Sequence, residues 1–410
     1  MIRMTPAAAL AAGLWLAASA AAQTPAAAPP PAWQQGRSAD QGSSTLHPIA
    51  PILTGRQASE LPVDKLKVPA GFKVEVWAEG IPEARSLALG DKGTVFVSNR
   101  NLKDVYAVTD QGGKRTVTKV LKGLNSPNGV AFANGTLYVA ERHRITAYEG
   151  IEDKLANPGE PRVVIDNLDP SQQAGHFWKF LAMGPDGKLY YNVGSPGNIV
   201  MPAYYQATIN RVDPKTGVME VYARGVRNSV GFDWDPRTKE LWFTNHARDW
   251  ISDDLPHDTL HRAAKKGMDF GYPFCHQGDL LDPEFGKGRA CSEFDTPAAK
   301  LGAHIAPLGM RFYTGSMFPA KYKHAIFIAR HGSWNRTRKF GGDILAVFLN
   351  KDGSVKGTEV FISGFLENNS YIGRPVDVLF LKDGSMLISD DFNGAVWRVS
   401  YGSQKSAAKK

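Results

Sequence analysis

Gly175-His176-Phe177-Trp178-Lys179, then Met183-Gly184-Pro185-Asp186-Gly187-Lys188-Leu189-Tyr190-Tyr191, and further on Gly225-Val226-Arg227-Asn228-Ser229-Val230-Gly231 running into Glu240-Leu241-Trp242-Phe243, decide the fold. Each half follows one plan. A polar residue stands ahead of an apolar strand, a Pro-Asp-Gly or Asp-Pro-Arg turn follows, and a second apolar strand returns. One histidine and one arginine therefore occupy equivalent points of adjacent repeats.

The plan recurs in both directions at a period of roughly 40 to 50 residues, the mark of a repeat array. Upstream lie Ser86-Leu87-Ala88-Leu89 with Thr94-Val95-Phe96-Val97, and Gly129-Val130-Ala131-Phe132 with Thr136-Leu137-Tyr138-Val139. Downstream, a more divergent unit runs from Ala306 to Phe312 and Ala325 to Ala329. The last is Pro375 to Phe380 with Ser385 to Ile388 and Gly394 to Val399. The strand Phe72 to Trp77 has no inner strands of its own ahead of it, so it is expected to join the last repeat and remove the open sheet edge. The fold class read from this is all-β, a six-bladed β-propeller closed by an N-terminal outer strand; a two-sheet sandwich is the alternative.

The ends fall outside the array. Arg3, the apolar run Ala7 to Ala18 and Ala20-Ala21-Ala22 ahead of Gln23 read as a secretory signal over 1–22, too short to favour a membrane span. Residues 23–64, rich in Ala, Pro, Gln and Ser, read as a flexible leader, 65–402 as the propeller and 403–410 as a basic tail. The expected location is periplasmic or secreted, without stable membrane insertion. An insertion at 246–300 lengthens the step between the fourth and fifth repeats and is placed over the mouth of the channel. It holds Cys275 and Cys291, for which a disulfide is the first reading in an exported chain; free buried thiols or a metal pair also remain open.

The formal charge is +8, with Lys and Arg scattered among acids rather than in runs, which argues against nucleic acid and leaves room for a basic pocket. Neither a Gly-x-Gly-x-x-Gly after a strand nor a P-loop is present, which disfavours nicotinamide and nucleotide cofactors; Gly-x-Ser-x-Gly and Cys-x-x-Cys-His are missing too. Residues ahead of the inner strands point to the axis, so His176, Arg227 and Arg374 are expected to converge. One imidazole there can take a proton while guanidinium groups hold an anion, although polar residues that only satisfy strand-end backbone groups have the same pattern. Arg330-His331-Gly332-Ser333-Trp334-Asn335-Arg336 is a second polar cluster. Asn245 to Asp258, with Asp254, is a third that suits a hard cation or a solvated acidic loop.

At these residues the chain resembles the glucose/sorbosone dehydrogenase family, over residues 66 to 401. The motifs that carry the resemblance are the His176 stretch, Gly225 to Asn228, His304 to Met310, His331 to Arg336 and Gly373-Arg374-Pro375-Val376-Asp377. The resemblance implies an exported sugar dehydrogenase that uses pyrroloquinoline quinone (PQQ) and Ca²⁺ and passes electrons to a periplasmic acceptor. It makes His176 the base that takes the anomeric hydroxyl proton as hydride leaves. Arg227 would stabilise the quinone oxygen, and Arg227, Asn228, His331, Arg336 and Arg374 would hold the cofactor. It gives Ala247 and Arg248 as carbonyl ligands of calcium, with Asp254 as a further metal candidate. The glucose-oxidising branch has Gly-Pro where Ala247 and Arg248 stand, and an acid at the place of Gly175. A propeller binding module or a Ca²⁺-dependent lactone hydrolase is the reading from another class.

Overall fold

A computed structural model describes residues 32–168 and 175–402. The signal at 1–22, the start of the leader and the tail at 403–410 lie outside the described residues. Six four-stranded antiparallel sheets are arranged as the blades of a propeller. Blade 1 comprises Leu87–Leu89, Val95–Ser98, Val105–Gln111 and Lys114–Leu121; blade 2 comprises Gly129–Ala133, Thr136–Ala140, Ile145–Glu149 and Arg162–Ile165. Leu181–Met183, Leu189–Val193, Thr208–Val212 and Met219–Ala223 make blade 3. Phe232–Trp234, Leu241–Asn245, His257–Ala263 and Ala299–Ala303 make blade 4. Blade 5 is Pro307–Phe312, Ile326–Arg330, Asp343–Leu349 and Val355–Ile362, and blade 6 is Pro375–Phe380, Met386–Asp390, Ala395–Tyr401 and Phe72–Ala78.

The ring closes as expected: Phe72–Ala78 pairs antiparallel with Ala395–Tyr401, from Phe72 opposite Tyr401 to Ala78 opposite Val396. Phe72 is also packed edge-on against Phe318 and Phe361, with centroids 4.8 and 4.9 Å away, so the closing strand joins blade 6 to the core of blade 5. Deleting residues 66–80 should therefore expose an edge and a large apolar surface and give insoluble protein. A soluble, fully active deletion, measured by yield and size exclusion, would contradict this closure.

Second strands such as Val95–Ser98 and Leu241–Asn245 are buried along their whole length, which explains their near-continuous apolar runs. The inner strands converge so tightly that side chains must vanish at some points. A Cβ on Gly231 would stand 2.0 Å from the Leu308 carbonyl oxygen, and one on Gly309 2.1 Å from Asp377 Oδ1.

Residues 246–300 are not one insertion: His257–Ala263 and Ala299–Ala303 are the third and fourth strands of blade 4, and the added length lies between them, where Cys275 and Cys291 form a disulfide beside the short hairpin Cys275–His276 with Leu280–Leu281. A loop closed over 16 residues restricts the unfolded chain by an amount worth about 3 kcal/mol. Thiol labelling of denatured, unreduced protein should find no reactive cysteine; two per chain would refute the bridge.

The described part of the leader lies on the propeller. Trp33 packs against Trp250 and Trp334, Gln35 bonds to Asn198 and Ile199, and the Arg56 amide donates to the Asn393 carbonyl at 2.9 Å. Composition alone had suggested a flexible segment there.

Candidate active site

In an antiparallel blade the start of the first strand and the end of the second lie at the same end of the propeller, so two sets of loops meet on one face. Ahead of inner strands stand Arg85, His176, Arg227, Asn228 and Arg374; after second strands stand Arg100, His246, His331 and Asp391. All of them line one cavity of about 210 Å³, together with Trp178, Ala247, Asp249, Asp258, His304 and Trp334 among others.

His176 and Arg227 are coupled through one strand end. His176 Nδ1 is 2.9 Å from the Ser195 carbonyl oxygen, while the Ser195 amide donates to the Arg227 carbonyl at 2.7 Å. A carbonyl can only accept, so Nδ1 carries the proton and Nε2 keeps its lone pair. Burial, and then the Arg227 charge, hold the His176 pKa well below 6.5. Arg227 is gripped from behind: its Nε donates to the Asn198 carbonyl at 2.8 Å, and its Nη2 donates to Asn198 Oδ1 at 2.9 Å and to Asp249 Oδ2 at 3.1 Å. Asn335 Nδ2 fixes the other oxygen of Asp249 at 2.6 Å and reaches His304 Nδ1 at 3.2 Å.

His246 bridges two blades, with Nε2 donating to the Pro307 carbonyl at 3.0 Å and Nδ1 accepting from Asn228 Nδ2 at 3.2 Å; burial lowers its pKa to about 3. Asp258 takes the Ala247 and Ala306 amides at 2.8 Å each, and burial pushes its pKa up to about 7.

Across the cavity Arg85 bonds to Asp391 at 2.8 Å and His331 Nε2 donates to the same carboxylate at 2.9 Å. Burial and Arg374 bring His331 down to about 4. Burial opposes ionisation of Asp391, but His331 and Arg85 outweigh it and hold the carboxyl below its usual range. Burial and the facing Arg85 lower Arg100 to about 10, and burial lowers Arg374 as well. Arg374 itself is braced by the His331 and Gly332 carbonyls at 3.3 and 3.0 Å. Arg85, Arg100 and Arg227 are paired with Asp391, Glu83 and Asp249 at 2.8, 3.5 and 3.1 Å, whereas Arg374 is held by carbonyls and has charge to offer a ligand.

Two cavity residues carry buried polar atoms without a protein partner, Asn228 Oδ1 and Trp178 Nε1. These orphans and the Arg374 guanidinium, with Arg85, Arg100 and Arg227 beside it, fit an anionic, polar, planar ligand of the pyrroloquinoline quinone type, which bears carboxylates, ring nitrogens and carbonyls. For calcium the side chains fit less well. Among the described residues no three His, Cys, Asp or Glu groups are placed to hold a metal, and Asp249, Asp258 and Asp391 all have protein donors. A cation would have to rely on single oxygens, such as Asn228 Oδ1 and the Ala247 and Arg248 carbonyls that the resemblance names, so no step below depends on it.

Of the residues singled out in the sequence, His176, Arg227, Asn228, His331, Arg374 and Ala247 share this cavity. The Arg248 side chain is buried beneath it, bonded to Asp282 at 2.8 Å and Glu284 at 3.1 Å. Arg336 and Asp254 bond to each other at 2.9 Å in a neighbouring groove with Lys339 and Phe340. Arg85, Arg100 and Asp391 were missed, and His246 and Asp249 were covered only as members of the Asn245–Asp258 cluster. Arg85 sits in the same place ahead of an inner strand as Arg374, so the rule that found one should have found the other.

The family profile described as Glucose / Sorbosone dehydrogenase matches residues 140–333, and a TrAA12-like profile matches 281–402. An uncharacterized protein of Borreliella burgdorferi is 31% identical over 356 residues, which is 84% of this chain and 93% of that protein. The Trichoderma reesei Carbohydrate-Active Enzymes Family AA12 structure with iodide superposes with a TM-score of 0.72 at 20% identity, over 82% of this chain and 98% of that one. The holo pyranose dehydrogenase PQQ domain of Coprinopsis cinerea gives 0.69 at 20% identity, over 82% and 97%. The PQQ-bound aldose sugar dehydrogenase of Streptomyces coelicolor gives 0.58 at 19% identity, over 82% and 99%. At these identities the structures establish a shared propeller fold.

Proposed function

The chain belongs to the glucose/sorbosone dehydrogenase family, and from that premise we propose that it is an exported, pyrroloquinoline quinone-dependent sugar dehydrogenase that oxidises an aldose or related aldehyde sugar. The observation that carries this reading is a neutral histidine with a free Nε2 in the same cavity as Arg85, Arg100, Arg227 and Arg374. The quinone, when bound, supplies the hydride acceptor.

His176 Nε2 takes the proton of the anomeric hydroxyl; the Ser195 carbonyl fixes the ring's tautomer and orientation. Arg227, its guanidinium immobilised by Asn198 and Asp249, offers positive charge where negative charge develops, with little reorganisation. Arg85, Arg100, Arg374 and Asn228 bind and orient the anionic cofactor, while His331 acts through Asp391 and Arg85 to hold that side of the cavity. Trp178 and Trp334 exclude water and offer flat faces to a sugar ring.

Among the described residues no helix is long and apolar enough to cross a membrane. The disulfide and the sequence of the N-terminus support a periplasmic or secreted location. The electron acceptor would be met there. A lactone hydrolase would need carboxylates free to hold a metal, whereas those in this cavity have protein partners. The test is reconstitution with quinone and Ca²⁺, following dye reduction over a sugar panel with lactone hydrolysis in parallel. Quinone-dependent dye reduction is expected; lactone hydrolysis without it would overturn the assignment.

A further inference from the structure

Pro48, Ile49, Ala50, Pro51 and Ile52, from the stretch that composition reads as a linker, line the same cavity as His176 and Arg227. The segment is held on both sides of that contact. Upstream, Gln35 Nε2 donates to the Ile199 carbonyl at 2.7 Å, its Oε1 accepts the Asn198 amide at 2.9 Å, and its carbonyl accepts Asn198 Nδ2 at 2.7 Å. The Gly36 carbonyl accepts Arg248 Nη2 at 2.7 Å, and the Trp33 carbonyl accepts Trp250 Nε1 at 2.5 Å. Arg37 lies over the Trp250 ring at 4.2 Å. Downstream, Arg56 bonds to Asn393 and lies over Phe392 at 5.3 Å. Gly55 approaches Gly80 so closely that a Cβ on it would be 2.8 Å from the Gly80 Cα.

These anchors are tied to the chemistry. Asn198, which Gln35 grips by backbone and side chain, is the residue whose two oxygens hold Arg227. Arg248, which holds Gly36, is itself fixed by Asp282 inside the disulfide loop. A segment that merely drifted over the face would not share anchors with the site below it. With the segment seated, it forms one side of the cavity of about 210 Å³ in which the sugar would meet the quinone.

We infer that residues 33–56 form a strap that is a wall of the substrate site and limits its size, so that the sugar oxidised is a free monosaccharide rather than the end of an oligosaccharide. This rests on the sugar dehydrogenase reading above. Pro48 and Pro51 stiffen the crossing, and Ile49 and Ile52 present apolar surface to the cavity, where a glycan chain leaving the site would otherwise run.

The test replaces residues 46–53 by Gly and Ser at unchanged length, keeping the anchors at Trp33–Arg37 and Gly55–Arg56. In the full chain, kcat/KM is measured for a monosaccharide that the wild type oxidises and for the linear trisaccharide of the same sugar. The trisaccharide-to-monosaccharide ratio should rise by about tenfold or more. Acrylamide quenching of tryptophan fluorescence, without cofactor or sugar, should increase as the cavity that Trp178 and Trp334 line opens to solvent, while the thermal midpoint stays near wild type. An unchanged ratio overturns the inference. If the wild type oxidises no sugar with quinone, the functional reading fails on its own. Quenching then decides the strap: an increase supports a covering wall, and no increase overturns it.

Discussion

His176→Gln should lower turnover at saturating quinone by on the order of 10² to 10⁴ while leaving quinone affinity within a few-fold. The asymmetry follows from the local bonding. The ring's Nδ1–H is committed to the Ser195 carbonyl, so the single function left for the side chain is the lone pair on Nε2, which matters only when a proton moves. Glutamine keeps a polar group of similar reach but is no base. The pH profile adds a second readout. A base works when unprotonated, and burial together with Arg227 holds the His176 pKa well below 6.5. The wild-type acid limb should thus lie well below pH 6.5 rather than at an ordinary histidine's position. Near-normal turnover in His176→Gln would return the histidine to the role of a polar residue at a strand end.

Arg227→Ala should weaken both quinone binding and turnover, the first by about 10- to 100-fold and the second by about 10² to 10³ at saturation. A guanidinium that faces an anion contributes in the ground state, and one aimed at developing charge contributes again in the transition state. The substitution also strips Asp249 of its Arg227 bond, leaving Asn335 to hold its carboxylate. Stability should therefore fall as well, and each variant has to be compared at a temperature where tryptophan fluorescence shows it folded. Arg227→Lys, which keeps the charge but cannot bond to Asn198 and Asp249 at once as a fork does, should recover more binding than turnover. Titration with quinone followed by saturated turnover separates the two effects. Unchanged affinity in Arg227→Ala would remove the arginine from the cofactor site.

The propeller was readable because its signals are local and repeated. Apolar second strands, Gly-containing turns and a strand Phe72–Ala78 with no inner strands ahead of it each leave a mark within a few residues. The residues ahead of inner strands were readable for the same reason, which is how His176, Arg227 and Arg374 were found far apart in sequence. Arg100 and Asp391 were not, and His246 was covered only within the Asn245–Asp258 cluster. They follow second strands, and only the antiparallel pairing brings that end of the strand to the same face as the start of the first. Arg336 and Asp254 show the opposite limit: both sit in promising local clusters, yet the loop carries them into the neighbouring groove, where they bond to each other. The strap was hidden by composition, since Pro and Ala describe a linker, while its hold on the propeller comes from Trp33, Gln35 and Arg37 meeting partners more than a hundred residues away.

The central claim, that this cavity oxidises a sugar with His176 as base, is tested most directly by mixing quinone-loaded protein anaerobically with sugar and following the quinone absorbance without any other acceptor. The account predicts that the oxidised quinone signal is lost in one turnover, more slowly with sugar deuterated at C1, and that His176→Gln with quinone bound loses most of this rate. A quinone spectrum that stays unchanged at every sugar concentration, with quinone demonstrably bound, would contradict it.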